Sequence, residues 1–326
     1  MNIYSKSSKA KVANTLVKNL QSYFLSKLNS ISLEFGESIP FDPIEWSRDG
    51  GTHGGGLRYE ARDNIVFDRG SINVSQVHFD DDNDKKLESA TAFSTIIHPN
   101  NPHAPSIHIH ISWTKMRDEE GYWRVMADLN PSIIDESDLD RKRFSSTLKQ
   151  MSELLYEEGS SQGNIYFNIP VLERHRGVSH YYLEGYTSGN FEVDKSFVSE
   201  FGESIIDTYI SIISDKLALY PSFTQESKEK QLAYHTLYFF QVLTLDKGTT
   251  SGLLAHDQND LGIMGSLPSH INKDILFSWL QKMPTPQNYL VESLLQVLPN
   301  KVPTPIDKNT KKLLAKAVRK HYENRN

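Results

Sequence analysis

An α+β fold, with a large and mostly antiparallel sheet and helices packed on its faces, is what this sequence predicts. Three observations carry that expectation. Strand-like runs cluster in 57–129 and again in 164–267. Helix-like runs are grouped between and after those clusters. The alternation of the two is too irregular for repeated β-α-β units.

The bulk composition bounds the rest. At 326 residues the chain is long enough for one large domain or two small ones, and 38% hydrophobic content with 15 Tyr and 15 Phe supports a packed core. A net charge of -6 argues against a nucleic-acid partner, so any anionic ligand must be held by local basic groups. The absence of cysteine excludes disulfides, thiolate metal sites and cysteine nucleophiles, and fits a cytoplasmic protein. The N-terminal stretch MNIYSKSSKAK has no apolar core of a signal peptide, and no apolar run approaches the roughly 18 residues of a membrane span.

Taken in order, residues 7–30 read as a helix, because Val12, Leu16, Leu20, Phe24 and Leu28 recur at four-residue spacing. The stretch WSRDGGTHGGGLR (46–58) places five glycines between positions 50 and 56. Such a cluster is either a flexible loop or a place where backbone passes close to something. It has neither the Gly-Lys-Ser/Thr of a phosphate loop nor a strand–helix context. Its flanking Arg48 and Arg58 suit carboxylates. LRYEA, NIVFDRG and INVSQVH then read as strands, and Asp80, Asp81, Asp82 and Asp84 as a solvated acidic loop.

Residues 92–113, AFSTIIHPNNPHAPSIHIHISW, hold four of the 12 histidines. Phe93–Ile97 and Ser106–Trp113 read as two strands around a turn stiffened by Pro99, Pro102 and Pro105. In the second strand His108, His110 and Ser112 share one face and Ile107, Ile109 and Ile111 the other. A sheet face lined with imidazoles makes a better pocket wall than core.

Residues 121–129 read as a strand, 136–158 as a helix, 164–169 as a short strand and 192–217 as a long helix. TLYFFQVLTLD, within 221–246, reads as a fully buried strand on its continuous apolar run, with Asp246 at its end. GIMGSLP (262–268) reads as a further strand, with helices at 273–282 and 287–298 and a basic amphipathic helix from Lys311 to His321.

These motifs resemble oxygen-dependent coproporphyrinogen III oxidase. WSRDGGTHGGGLR is similar to the family's Trp-x-Arg and glycine-rich loop, and NIVFDRGSINVSQVH to its VFEKAGVNFSxVxG. ATAFSTIIHPNNPHAPSIHIHIS is similar to ATGVSxVxHPxNPxVPTxHxNxR. ADLNP, HRGVSHYYLE, TLDKGTTSGL and GIMGSLP follow in the family's order. The resemblance runs from about Trp46 to Pro268.

It implies a single domain over 1–326, with an N-terminal helix (7–30) and a basic C-terminal helix (307–326), a sheet covered by helices on both sides, a homodimer and a deep tetrapyrrole cleft. It implies oxidative decarboxylation of two propionates of coproporphyrinogen III to the vinyls of protoporphyrinogen IX. Dioxygen is the co-substrate, and no organic cofactor is needed. Asp246 matches the family's aspartate that binds or deprotonates pyrrole N–H, and His108 its proton donor, a role for which an imidazole is suited. Ser94 matches a substrate-contacting serine, and His110, Ile111 and Ser112 stand where the family has an Asn-x-Arg substrate triplet. His98, with His108, matches a metal assignment made for some members. Two histidines alone make a weak site by ligand count.

The departures bear on the ligand. Lys247 replaces the family's arginine and loses its bidentate geometry. The triplet arginine is Ser112, and a further carboxylate-binding arginine is missing around His256–Asn259. Two other metal-assigned histidines are replaced, near Arg143–Phe144 and near Val171, and Tyr181–Glu184 replace a Phe-Asp-Asp. Arg48, Arg58 and Arg176 remain. Each lost guanidinium removes about 1.5–3 kcal/mol of charged hydrogen bonding. The alternatives to the oxidase are therefore a catalytically impaired paralogue that binds a tetrapyrrole or related ligand, and an enzyme of the same fold with another substrate.

Overall fold

The computed structural model describes residues 2–255 and 259–323. They divide into two compact units, Met1–Phe167 with Gly177–Pro221 (unit 1) and Asn168–Arg176 with Ser222–Asn326 (unit 2).

Unit 1 opens with α1 (Ser8–Phe35), whose first turn is capped by the Ser7 side chain accepting from the Ala10 N–H. Its stripe of Leu16, Leu20, Phe24 and Leu28 is buried, as the spacing predicts. The helix runs past residue 30 because Ile31 and Ser32 are buried too. At its end the buried Asp63 carboxylate accepts from the Ser32 hydroxyl and from the Glu37 N–H at 2.8 Å. The same carboxylate caps the turn before β3 through the Ile65 N–H (2.9 Å) and the Val66 N–H (3.2 Å). Helix end and strand turn thus share one anchor.

The sheet is a seven-stranded antiparallel meander. It comprises β1 (Asp42–Ser47), β2 (Gly54–Glu60), β3 (Phe67–His78), β4 (Leu87–Pro99), β5 (Ser106–Met116), β6 (Tyr122–Asn130) and β7 (Ser179–Tyr186), each paired with the next. The two strands expected in 64–78 form the single β3, bent by an irregularity between Phe67 and Arg69. The glycine cluster is only partly a loop, since Gly54–Gly56 lie in β2. Side chains there would collide with neighbours. A Cβ on Gly55 would lie 2.3 Å from the Trp46 carbonyl oxygen, and one on Gly56 would lie 2.6 Å from the Trp46 indole nitrogen.

Ile107, Ile109 and Ile111 are fully buried, on the face against which α1 and α4 (Phe191–Leu219) pack. Each stabilises the fold by about 1.5–3 kcal/mol through burial. Gly202 of α4 lets Leu20 and Ile111 meet there; a Cβ would come within 3.0 Å of both. The helix expected over 136–158 is two: α2 (Asp138–Ser152) and α3 (Tyr156–Tyr166), broken where Glu153 adopts φ +41°. Consequently the strand expected over 164–169 shrinks to Asn168–Ile169, which pairs with Arg174–His175.

Unit 2 corrects the reading of 221–246. TLYFFQVLT is the C-terminal half of α5 (Gln225–Thr244), capped by Thr224, and Leu245 and Asp246 follow the helix. Every residue from Tyr234 to Thr244 is buried, so the helix shows no apolar stripe and its sequence mimics a central strand. GIMGSLP likewise belongs to α7 (Asp260–Ile263) and a following 3₁₀ turn, after α6 (Lys247–Ala255). The expected helices near 273–282, 287–298 and 311–321 are α8 (Lys273–Leu280), α9 (Gln287–Val297) and α10 (Lys308–Glu323). The architecture is α+β with an antiparallel sheet, as the sequence predicts. Among the described residues no helix is long and apolar enough to cross a membrane.

Candidate active site

The isoleucine face of β5 is core, and its other face carries the imidazoles of His108 and His110. The register carries that polar face across the sheet in rows of directly opposed residues. One row runs Glu60, Ser71, Ile96, His108, Asp128, His180. The next runs Arg58, Asn73, Ser94, His110, Met126, Tyr182.

His108 is the best-defined group. Its Nδ1 lies 3.0 Å from Oδ1 of Asp128 on the neighbouring strand. Asp128 is wholly buried, and the Asn130 amide donates to its Oδ2 at 2.5 Å. Where the Asp128 carboxylate accepts the Nδ1 proton of His108, Nε2 is left as the ring's acceptor. The His108 side chain is 21% exposed. Phe167 meets it edge-on, with centroids 6.5 Å apart, and also tilts against His180 at 5.2 Å. A histidine with one nitrogen held and its ring partly exposed can exchange a proton with a ligand.

Ser94 and His110 face each other across β4 and β5, both partly exposed. His110 Nε2 is 3.1 Å from the Ser112 hydroxyl, and Ser112 is buried. Arg58 is 3% exposed, and its Nε donates to Glu60 at 3.0 Å. Arg48 stands apart from these rows, at the turn into β2. Its guanidinium lies 5.3 Å over the Phe79 ring and 3.6 Å from Asp49. Asp49 is also bound by His53 at 2.6 Å, and this hydrogen bond holds its carboxyl below the ordinary range.

The remaining expected site residues belong to unit 2. Asp246 follows α5 as a helix-cap residue, not a strand-end residue: its Oδ2 accepts from the Thr249 N–H at 2.7 Å in the first turn of α6. Lys247 is exposed on that turn. Arg176 is 2% exposed, with its guanidinium 4.9 Å over the Tyr238 ring. His256, which begins the stretch lacking the family's arginine, lies outside the described residues together with Asp257 and Gln258.

The expected metal ligands His98 and His108 each have one ring nitrogen in a hydrogen bond, as metal-bound histidines also do. His98 is wholly buried with Nδ1 2.8 Å from the Ser106 hydroxyl, while Nδ1 of His108 is taken by Asp128. Among the described residues no three His, Asp or Glu side chains are grouped to hold an ion. No step below is routed through one. His103, in the proline turn, is structural: it stacks on Tyr220 at 4.1 Å and bonds Glu136 at 2.7 Å.

Sequence reasoning misses Asp128 as a partner of His108. The ADLNP motif contains it, yet only the register between β5 and β6 shows that residues 20 apart in the chain are opposed.

The family model described as coproporphyrinogen III oxidase matches residues 12–298. A Rickettsia akari protein named oxygen-dependent coproporphyrinogen-III oxidase is 26% identical over 270 residues, covering 78% of this chain and 94% of that one. A protein of the same name from Rickettsia bellii is 26% identical over 279 residues, covering 80% and 96%. A Homo sapiens protein, named oxygen-dependent coproporphyrinogen-III oxidase, mitochondrial, is 26% identical over 253 residues, covering 70% of this chain and 54% of its own length. With a model match across most of its length, the chain belongs to the coproporphyrinogen III oxidase family, a family of oxidoreductases.

Proposed function

We propose that this protein converts coproporphyrinogen III to protoporphyrinogen IX with dioxygen as oxidant. One observation carries the reading: the family match spans both His108 and Asp246 without leaving either outside it. For each vinyl formed, a propionate loses carbon dioxide, a proton and two electrons. Dioxygen takes the electron pair with two protons and leaves as hydrogen peroxide.

In this reading His108 exchanges a proton with the substrate through Nε2, and Asp128 is a positioning residue that holds the ring through Nδ1. Asp246 binds or deprotonates pyrrole N–H, an acceptor role that an ionised carboxylate can fill. Ser94, His110 and Ser112 contact the macrocycle from the sheet, and Arg48, Arg58, Arg176 and Lys247 supply the cations for its carboxylates. A single functional domain over 1–326, a homodimer and a cytoplasmic location belong to the same proposal and rest on the resemblance alone.

The test is direct. Coproporphyrinogen III prepared without oxygen is mixed with the protein and oxygen is admitted; protoporphyrinogen should accumulate with two carbon dioxide molecules released per macrocycle. Absence of product, under conditions where a Rickettsia relative turns over, would overturn the enzymatic reading. One observation favours the second reading, an impaired paralogue that binds a tetrapyrrole. The place of the triplet arginine is filled by a buried serine hydrogen-bonded to His110, which supplies no charge.

A further inference from the structure

The row that passes beside His108 holds a guanidinium with an unused donor. Arg58 is 3% exposed, and its Nη1 is buried with no hydrogen-bond partner. Leaving such a group unsatisfied is costly, and native proteins tolerate it mainly where something else completes the bonding. The guanidinium has one carboxylate already, Glu60, at 3.0 Å from Nε and two residues along the same strand face. Glu60 differs from Arg58 in its surroundings: its side chain is 29% exposed, against 4% for the arginine. The row continues through Asn73, Ser94 and His110, all partly exposed. It spans three strand spacings, about 14 Å, comparable with a four-ring macrocycle and its side chains.

We infer that Arg58 forms a carboxylate subsite on this polar face, and that Glu60 is an internal stand-in which the ligand's carboxylate displaces. A buried arginine paired with one carboxylate is neutral overall, so the pair tolerates burial without ligand. A second carboxylate can be accepted only if the first leaves, and Glu60 is the partner with solvent already at hand. The subsite selects for ligands carrying a carboxylate about one row-length from the ring contacts at His110. Glu60 sets the selectivity by making every weaker anion compete with it. This inference rests on the tetrapyrrole reading above.

The experiment measures binding of two porphyrins to the full chain by fluorescence: coproporphyrin III, with four carboxylates, and mesoporphyrin, with two. Neither is turned over. Arg58→Met should weaken the tetracarboxylate by about tenfold or more while changing the dicarboxylate by less than about threefold. Glu60→Gln should tighten the tetracarboxylate several-fold. Circular dichroism reports whether each variant folds; should Arg58→Met fail to fold, the tightening in Glu60→Gln alone decides. Unchanged or weaker tetracarboxylate binding by Glu60→Gln overturns the subsite, as does an equal loss of both porphyrins in folded Arg58→Met. Failure of the unsubstituted protein to bind either porphyrin is a different result, and it overturns the tetrapyrrole reading itself.

Discussion

His108 and Asp246 are both expected to serve one reaction, yet they stand on opposite kinds of support. His108 lies mid-strand in the sheet, where alternate residues face the core and the polar side, and a buried carboxylate holds its ring. Asp246 sits between two helices of unit 2, and its carboxylate closes the first turn of α6. The first residue has a wholly buried carboxylate as its partner. The second has a partner that any helix start would supply. The difference separates a group whose surroundings already point to chemistry from one whose role rests on family likeness.

Substitutions can break that contrast, beginning with the largest effect. His108→Ala should lower kcat by about 10²–10⁴-fold, the usual contribution of a positioned acid or base, and cost about 1–3 kcal/mol of stability because the buried Asp128 loses a hydrogen-bond partner. An unchanged rate would remove the polar face from the chemistry. Asp246→Asn sharpens the comparison, because asparagine caps a helix as well as aspartate does. The cap and the thermal stability should therefore survive while kcat falls by about 100-fold or more. A variant with normal turnover would leave Asp246 as a cap only.

A third test addresses the frame under His108. Burial pushes the Asp63 carboxyl up, but the Ser32 hydroxyl and the Val66, Glu37 and Ile65 N–H groups outweigh it, and the group titrates below its ordinary value. Its stabilising effect is therefore fully present above the unfolded value, near pH 3.9, and is lost as pH falls through the lower folded value. Asp63→Asn should cost about 1–3 kcal/mol at neutral pH, read by urea unfolding, and the difference from the parent should shrink in strong acid. The smallest effect concerns unit 2. Lys247→Arg should lower KM by a few-fold, at most about tenfold, if a fork-shaped donor is what the exposed turn lacks.

The legible parts of the sequence were those with one face wet. The β5 alternation SIHIHIS gave both faces correctly, and the spacing in α1 gave its core stripe, because half-burial imprints a period. The run YHTLYFFQVLT carries no period because α5 is buried on all sides there, so the strand reading of it and of the Asp246 end was wrong. Asp128 and Glu60 were invisible for another reason. Their importance lies in what stands opposite or beside them in the sheet, and register is a long-range property. The glycine cluster left open a flexible loop or a close backbone approach, and only the strand ladder shows the approach and names the neighbour, Trp46.

The central claim is that the sheet's polar face, with His108 held by a buried carboxylate, is where the family's chemistry takes place. Oxygen-initiated turnover of coproporphyrinogen III, run side by side on the protein and on Asp128→Asn, tests it most directly. The protein should yield protoporphyrinogen, and the variant should fold but turn over about 10- to 100-fold more slowly, since an amide in place of the acceptor no longer fixes the ring's tautomer. Equal rates for the two, or no product from the parent protein, would contradict it.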